Sequence, residues 1–470
     1  MNSTESLELS FMEQIARVAA GNLSSIEEIS QAQIIANQKL NNANFPSKRD
    51  EAWKYFDFRD ILDLDFIQAP ATNQSLSQSQ LSELIDKYVF KETSENLIVT
   101  YNGVFSPELS NFKSSLEGLT ITNFNSSEEL AKNPKAKELV KKYFARNIKN
   151  ENNFFNLVNT SLISNGFLLA LDDNYQASKT IQILHLSDKN EFSQIRSLIF
   201  AGKNSKLDLL VTYVGVKDAK YLKNSVVEAY LDAGAQVKLQ KIQNESKQAT
   251  VLYNFYAQLE RDSKLEFDSY SFGAKSSRKD LTIDIIGSNA HADINGLYVV
   301  NGARKSHQKI RINHLAPHST SNQMFKGLLD DSARAEFNGL IEVAKGAIKT
   351  DSTQLNKNLL LSNGAHIDSR PQLNILNDDV KCSHGSTVGS LDEEQLFYLE
   401  SRGLSSQGAR AILTYSFCQE LIKRISIESA RNYASNLAFA NISKQEEGNL
   451  VFSTLAENSK FKRYRVENVD

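Results

Sequence analysis

Apolar residues change their spacing twice along the 470-residue chain. Near the N-terminus they recur at helical intervals, as at Phe11, Ile15 and Val18, and helical spacing returns after residue 392. Between these parts apolar and polar residues alternate in short runs such as Ile181-Gln-Ile183, which predicts strands. We therefore divide the chain into a helical or mixed N-terminal domain (1–150), a β-rich core (151–390) and a C-terminal helical domain (391–470).

The predicted strands of the core begin with a recurring pattern: a short turn, a small residue, any residue and then an apolar one. Examples are Ala235-Gln-Val237, Ser263-Lys-Leu265, Ala290-His-Ala292, Ala333-Arg-Ala335 and Ala365-His-Ile367. This repetition, without alternating helices, indicates stacked coils of a β-solenoid. An antiparallel sandwich remains the alternative, because alternation along a strand does not reveal the direction of its neighbours.

Composition narrows the functional classes. The net charge of −3 argues against a nucleic-acid partner, and two cysteines cannot build a disulfide framework. The N-terminus lacks the features of a signal peptide, and no apolar run is long enough to span a membrane, so we expect a soluble, cytoplasmic protein. Neither a complete phosphate-binding loop nor a dinucleotide fingerprint is present, so we do not expect the chain to hydrolyse nucleotide by itself.

Cys382 and His384 form the most informative pair of residues for chemistry, at the junction between the last predicted strand and the helical C-terminal domain. Residues at i and i+2 of a strand point to the same face, so the thiol and the imidazole would lie on one side. This pair suits zinc, copper or an iron–sulfur cluster. Two ligands do not complete a site, so a metal here would need others, for example from another chain. The alternative is that Cys382 is only a small buried apolar residue.

Six of the seven histidines lie between His291 and His384. His314 and His318 have the i, i+4 spacing of a helical metal pair, but Pro317 breaks such a helix. A structural, hydrogen-bonded role is the favoured interpretation for these two. His366 and His384 lie in corresponding strand contexts, and the pattern leaves open whether they point into the solenoid or outward.

Several ordered segments between Pro46 and Ile425 resemble the SufB/SufD family of the SUF iron–sulfur cluster assembly machinery. The segments are Pro46-Ser-Lys-Arg-Asp-Glu-Ala-Trp-Lys-Tyr55, Asn159-Thr-Ser-Leu162, Pro317-His-Ser-Thr-Ser-Asn-Gln-Met-Phe-Lys-Gly327, Thr350-Asp-Ser-Thr-Gln-Leu-Asn-Lys-Asn-Leu-Leu-Leu-Ser362, Val380-Lys-Cys-Ser-His-Gly385 and Asp392-Glu-Glu-Gln-Leu-Phe-Tyr398. Within the family the chain is more similar to SufD than to SufB. SufB has a cysteine in the strand that here reads Asn356-Lys-Asn-Leu-Leu-Leu361, and a histidine–glutamate pair where this chain has His384-Gly385.

The resemblance implies a right-handed parallel β-helix core flanked by helical N-terminal and C-terminal domains, and a scaffold role without ATPase activity. It implies a SufB partner bound through the β-helix and a SufC ATPase bound through residues about 391–437. By the same resemblance His384, with Cys382 in a less certain role, would help to ligate a transient iron–sulfur cluster shared with the partner. Whether the isolated chain forms a homodimer stays open.

Two hypotheses from other classes accompany this one. A β-helix enzyme acting on polysaccharide would need clustered carboxylates on one face of the solenoid, and the sequence offers only adjacent pairs such as Asp330-Asp331. A solenoid that serves only as an interaction module would bind no metal. A SufB-type paralogue is the close alternative within the family.

Overall fold

The core of the molecule is a parallel β-solenoid, seen in a computed structural model that describes residues 3–62, 76–112, 117–123, 127–163, 165–188, 192–216 and 218–442. Its strands are β4 (Gly166–Leu171), β5 (Ile181–Ser187), β6 (Phe192–Ala201), β7 (Lys206–Gly215), β8 (Leu222–Leu231), β9 (Gln236–Asn244), β10 (Thr250–Leu259), β11 (Lys264–Ser271), β12 (Ser276–Ile285), β13 (His291–Val300), β14 (Lys305–His314), β15 (Thr320–Leu329), β16 (Arg334–Val343), β17 (Asp351–Leu360), β18 (His366–Ile375) and β19 (Lys381–Gly389). Three shorter strands precede them: β1 (Leu97–Tyr101), β2 (Val104–Phe105) and β3 (Leu119–Asn123).

The strands form two sheets that face each other across the core. Sheet A contains β3 and the even-numbered strands from β4 to β18, and sheet B contains β1, β2 and the odd-numbered strands from β5 to β19. Every pairing from β4 to β19 is parallel, while β2 joins β1 and β3 joins β4 in antiparallel fashion. The predicted parallel β-helix is confirmed, and the alternative of an antiparallel sandwich is wrong.

Sequence repetition creates the corners of the solenoid. At the corner before each odd-numbered strand from β5 to β17, one residue adopts a left-handed backbone, and these residues are Asn174, Asn204, Gly234, Asp262, Asn289, His318 and Lys349. Each donates its backbone N–H to a carbonyl of the next coil; His318, for example, donates to Ile348 at 2.8 Å. Short Asn and Asp side chains tolerate this conformation, so the chain can turn repeatedly with few glycines. The next residue, such as Ala235, is small because it is buried inside the corner.

The interior of the solenoid is mostly apolar. Alternate residues of both sheets point inward, as Phe255 and Ile283 do from sheet A and Phe267 and Ile294 do from sheet B, and all four are buried in one continuous core. Burial of this apolar surface is the main driving force for stacking the coils, since each coil alone covers only one side of its neighbour.

The flanking helices pack on the outer faces of the sheets. They are α1 (Ser3–Ala20), α2 (Glu27–Asn41), α3 (Arg59–Leu62), α4 (Gln78–Tyr88), α5 (Ser127–Ala131), α6 (Pro134–Tyr143), α7 (Phe154–Leu162), α8 (Glu393–Ser401), α9 (Ser406–Ile422) and α10 (Glu428–Ile442). Apolar residues of α1, α2, α3, α6 and α7 cover the outer face of sheet A. Apolar residues of α8, α9 and α10 cover the outer face of sheet B.

The helical regions at both ends of the chain agree with the predicted fold class. The domain boundaries at residues 150 and 390 stay a prediction, and residues 443–470 of the predicted C-terminal domain lie outside the described part of the chain.

Polar contacts also join the flanking regions to the two sheets. On sheet A the guanidinium of Arg278 lies 3.7 Å from the ring centroid of Trp53. On sheet B Arg424 of the C-terminal region pairs with Asp268 at 2.9 Å and with Asp293 at 2.6 Å.

Candidate metal site

The last coil of the solenoid is open. Strand β18 ends sheet A and strand β19 ends sheet B, so among the described residues each pairs with a neighbour on one side only. Apolar side chains at this end are exposed, including Leu376 at 61% and Val388 at 50%. Unpaired strand edges together with exposed apolar residues are typical of a surface that another chain covers.

Cys382 and His384 lie on β19 and face the interior side of this open coil. The register pairs Cys382 with Ser352 and His384 with Gln354, and both β17 residues are buried in the solenoid. The two candidate ligands therefore share one face, as their spacing predicts. Their Cα atoms are about 7 Å apart on an extended strand, so one metal centre could contact both side chains.

The two side chains differ in accessibility. His384 is exposed and Cys382 is half-buried. Burial and the nearby carboxylate of Asp351 raise the pKa of the Cys382 thiol, although a backbone hydrogen bond from Ser352 opposes them. The thiol is therefore protonated near neutral pH in the isolated chain. Because metals bind the thiolate, ligation at Cys382 would release a proton.

Polar side chains line the interior next to this pair, in contrast to the apolar centre. The Gln354 amide donates to the Gln323 carbonyl oxygen at 3.3 Å, and its own carbonyl oxygen has no partner among the described residues. The Ser369 hydroxyl lies 2.8 Å from the Asn356 side-chain oxygen and 2.8 Å from the Ser386 hydroxyl. This end of the interior can therefore accommodate a charged group at a lower desolvation cost than the apolar centre can.

The chain supplies only part of a metal coordination shell here. No group of three or more His, Cys, Asp or Glu side chains suited to a metal occurs within the described residues. Cys382 and His384 offer one sulfur and one nitrogen ligand, whereas zinc takes four protein or solvent ligands and an iron–sulfur cluster takes four from protein. A complete site at the open coil requires ligands from outside this surface.

The other histidines do not join this pair. His314 is buried and lies 2.7 Å from the Ser319 hydroxyl and 2.9 Å from the Ser321 hydroxyl, which confirms its structural role. His318 occupies a corner turn. His366 begins β18, where it alternates with the inward-facing Ile367 and therefore points outward; its imidazole lies 3.4 Å from a side-chain oxygen of Asp368.

A polar cleft of about 680 Å³ lies between the outer face of sheet A and the segment that precedes α7. Its carboxylates are engaged: Asp280 pairs with Arg278 at 3.0 Å, and Asp284 accepts a hydrogen bond from the Tyr256 hydroxyl at 2.8 Å. Such paired carboxylates are poorly suited to serve as the acid and the nucleophile of a glycosidase. No helix among the described residues is long and apolar enough to cross a membrane.

The fold is a parallel β-solenoid, and Cys382 and His384 share one face of its last coil. The sequence matches two family regions that together span most of the chain. Residues 1–183 match the SufBD protein N-terminal region, and residues 184–417 match the SufBD core domain of the SUF system for FeS cluster assembly. The chain therefore belongs to the SufBD family of iron–sulfur cluster assembly proteins.

Relatives within the family point to its SufD branch. A SufBD family protein of Synechocystis is 28% identical over 403 residues, which cover 83% of this chain and 86% of the relative. SufD of Escherichia coli is 26% identical over 399 residues, covering 84% of this chain and 88% of the relative. SufD of Bacillus subtilis is 27% identical over 300 residues, covering 63% and 68% respectively.

Sequence reasoning missed the open edge itself. The signal was present in β18, because Pro371 lies within this strand. Proline in a strand is confined to edges, to the first residue or to bulges. Pro371 could therefore have identified β18 as the end of its sheet.

Proposed function

We propose that this chain is a scaffold subunit for iron–sulfur cluster assembly, without ATPase activity of its own. It pairs with a SufB-type partner through the open end of its solenoid. There His384, assisted by Cys382, contributes ligands to a nascent cluster held between the two chains. The single observation that carries the proposal is the uncapped last coil, which exposes His384 on the interior side of β19 beside the free edges of both sheets.

Physical chemistry supports pairing at this end. The outer edges of β18 and β19 carry backbone donors and acceptors that no strand in the described part of the chain satisfies. A partner strand on each edge would satisfy them by β-augmentation and would continue both sheets. Docking would also bury Leu376 and Val388 and enclose the polar interior around His384. This enclosure would limit the access of solvent to a bound cluster, because the shell around a metal site controls its solvent access and its dielectric environment.

The C-terminal helical domain provides the second docking surface of the proposal, for a SufC-type ATPase at residues about 391–437. Helix α8 exposes Phe397 at 73% and Tyr398 at 57%, and such exposed aromatics are common anchors of interfaces. Helix α9 is fixed to sheet B, because Lys326 of β15 donates to the carbonyl of Phe417 at 2.9 Å. A force applied to these helices would therefore reach β15 and, through β17, the β19 strand that carries His384.

Co-purification under anaerobic conditions tests the proposal. The tagged chain is expressed with SufB-type and SufC-type partners, and the complex is assayed for subunit stoichiometry, iron and acid-labile sulfide. We expect one SufB-type chain, ATPase subunits and bound cluster. His384→Ala should keep the complex but lose most of the cluster, while the matched control His366→Ala, on the outward face of β18, should retain it. Full cluster content in His384→Ala would reject the ligand assignment.

The same experiment separates the alternatives. A SufB-type paralogue would assemble with the ATPase and a different SufBD partner, and would hold cluster without a second SufB-type chain. A metal-free interaction module would give a stable complex with neither iron nor sulfide. A solenoid enzyme acting on polysaccharide would elute alone and release sugars from a glycan, an outcome disfavoured by the engaged carboxylates of the sheet A cleft.

A further inference from the structure

Three lysines lie inside the solenoid, in coils other than the open one that carries His384. Lys223 of β8, Lys241 of β9 and Lys279 of β12 all occupy inward-facing positions and are buried. Glu245, which follows β9, is also buried. These four residues form what we call the interior lysine compartment. Buried lysines are rare unless their charge is compensated, so the compartment requires an explanation.

The ionic partners within the compartment do not balance. Lys223 forms an ion pair with Glu245 at 2.6 Å. Lys279 donates to the neutral hydroxyl of Ser269 at 2.5 Å. Lys241 has no carboxylate within ion-pair distance among the described residues. One carboxylate therefore faces three amines, which leaves a formal excess of two positive charges when all three are protonated.

Neighbouring aromatic groups cannot supply the missing negative charge. The Lys241 ammonium lies 4.8 Å from the ring centroid of Tyr213 and 4.6 Å from that of Tyr253, which gives cation–π attraction but no counter-charge. Burial raises the pKa of Tyr213 and Tyr253 further above neutrality, so both phenols stay uncharged. His185 is stacked on Tyr213, and burial together with Lys223 and Lys241 lowers its pKa, so it is neutral as well.

Hydrogen-bonding groups without partners face the same space. The Tyr253 hydroxyl and the side-chain carbonyl oxygen of Gln243 are buried, and neither has a partner among the described residues. A buried hydroxyl without a partner costs about 1–3 kcal/mol, so a ligand or water that accepts from it would be stabilised. Burial lowers the pKa of Lys241 to about 8, which leaves its amine mostly protonated at neutral pH. Burial and the nearby charge of Lys241 lower the pKa of Lys279 well below its usual value, so Lys279 acts as a neutral donor and Lys241 is the unpaired charge.

We propose that the interior lysine compartment binds one small monovalent inorganic anion of halide size. The Lys241 ammonium provides its charge partner, and the Lys279 amine and the Tyr253 hydroxyl provide neutral donors. The space between facing sheets, about 10 Å and largely filled by side chains, excludes larger anions such as nucleotide phosphates. Since Glu245 pairs with Lys223, a single negative charge balances Lys241, and its removal from water is offset by this ammonium and by the neutral donors.

This compartment is separate from the open coil that carries His384. The buried rings of Phe325 and Phe337, with centroids 5.2 Å apart, lie between the two regions along the solenoid. Phe325 packs directly over Gly296, where an added Cβ would lie 2.4 Å from the ring. An apolar layer therefore divides the polar interior, and anion binding should not depend on the cluster or on a partner chain.

Anomalous diffraction from crystals grown in bromide tests the proposal on the full chain. We expect a bromide peak between Lys241 and Lys279 in the wild-type protein. The peak should be lost in Lys241→Met, which keeps the length and the apolar stem of the side chain. It should be retained in the control Lys206→Met, at an exposed lysine on β7. A wild-type compartment without bromide, or a peak that survives Lys241→Met, overturns the proposal.

Thermal unfolding in solution tests the same anion site if one of the variants does not fold or crystallise. The melting temperature is recorded at constant ionic strength while gluconate is exchanged for bromide. The wild-type protein should show a saturable rise, because a ligand that binds only the folded state stabilises it. Lys279→Met and Tyr253→Phe each remove one neutral donor, and each should weaken bromide affinity about tenfold. Equal responses in wild type and Lys279→Met would identify a general salt effect and reject the site.

Discussion

Replacement of Arg424 by methionine should loosen the C-terminal helices from the solenoid. Arg424 follows α9 and places its guanidinium against two carboxylates of sheet B, Asp268 at 2.9 Å and Asp293 at 2.6 Å. The backbone carbonyl of Arg424 also accepts a hydrogen bond from Gln240 at 2.8 Å, which the substitution leaves in place. The variant therefore removes the charged contacts while it retains most of the apolar stem.

The size of the expected stability loss follows from the burial of the two aspartates. Asp268 is 1% exposed, and without Arg424 its carboxylate would keep only amide donors from Gln240 and Asn295, at 3.1 and 3.0 Å. A hydrogen bond to a charged group contributes about 1.5–3 kcal/mol, and breaking a buried pair costs about 3–5 kcal/mol. Arg424 itself is 33% exposed, so solvent screening reduces the effect, and we expect a loss of about 2–3 kcal/mol.

Hydrogen exchange of backbone amides is the suitable assay, because it reports opening of one region without global unfolding. Amides of α9 and α10 should exchange about 30–150-fold faster in Arg424→Met, the factor that corresponds to about 2–3 kcal/mol. Those of β8 and β10 on sheet A should be unchanged. The adjacent exposed residue gives a matched control, Lys423→Met, which should behave as wild type. Equal exchange in both variants would refute the argument that Arg424 anchors these helices.

Three further predictions test the interior and the thiols. Gly296→Ala should lower the free energy of unfolding by about 1–3 kcal/mol, because the added methyl group clashes with the Phe325 ring. The loss should be much smaller in a Phe325→Ala background, and additive losses in urea unfolding would contradict this. Burial lowers the pKa of His314 to about 4, so native stability should decline by about 3 kcal/mol as pH falls from 6.5 to 4, because only the unfolded chain binds this proton. His314→Gln should flatten that decline in pH-dependent unfolding, and an unchanged slope would reject the assignment. A thiol reagent should modify Cys382 in the native isolated chain and Cys418 only after unfolding, since Cys418 is fully buried; two fast-reacting thiols would contradict the fold.

The architecture of the core could be predicted because local rules repeat in every coil. Alternation of apolar and polar residues predicted the strands, and small residues such as Ala235 and Ala290 indicated the corners that precede them. The direction of pairing could not be derived from alternation, which is the same for parallel and antiparallel neighbours. The order of the strands between the two sheets depends on long-range contacts, and family resemblance rather than periodicity led to the correct choice.

The candidate site was only partly predictable for a related reason. The i, i+2 spacing of Cys382 and His384 places them on one face of any strand, and the structure agrees. The change to helical spacing after residue 392 also placed them at the end of the β-rich core, whereas the free edges of the last coil depend on long-range contacts that local sequence does not encode. The interior lysines were missed because Lys223 and Lys241 look like solvent-facing members of alternating strands, and the surrounding tyrosines come from distant coils.

The central claim is that the open edges of β18 and β19 bind a partner solenoid. Hydrogen exchange of this chain, alone and with a SufB-type partner, measures it directly. In the isolated chain the amides on the free edges of both strands should exchange rapidly, and in the complex they should become strongly protected while the middle coils stay unchanged. Protection that appears elsewhere, with β18 and β19 still exchanging freely in the complex, would contradict the account.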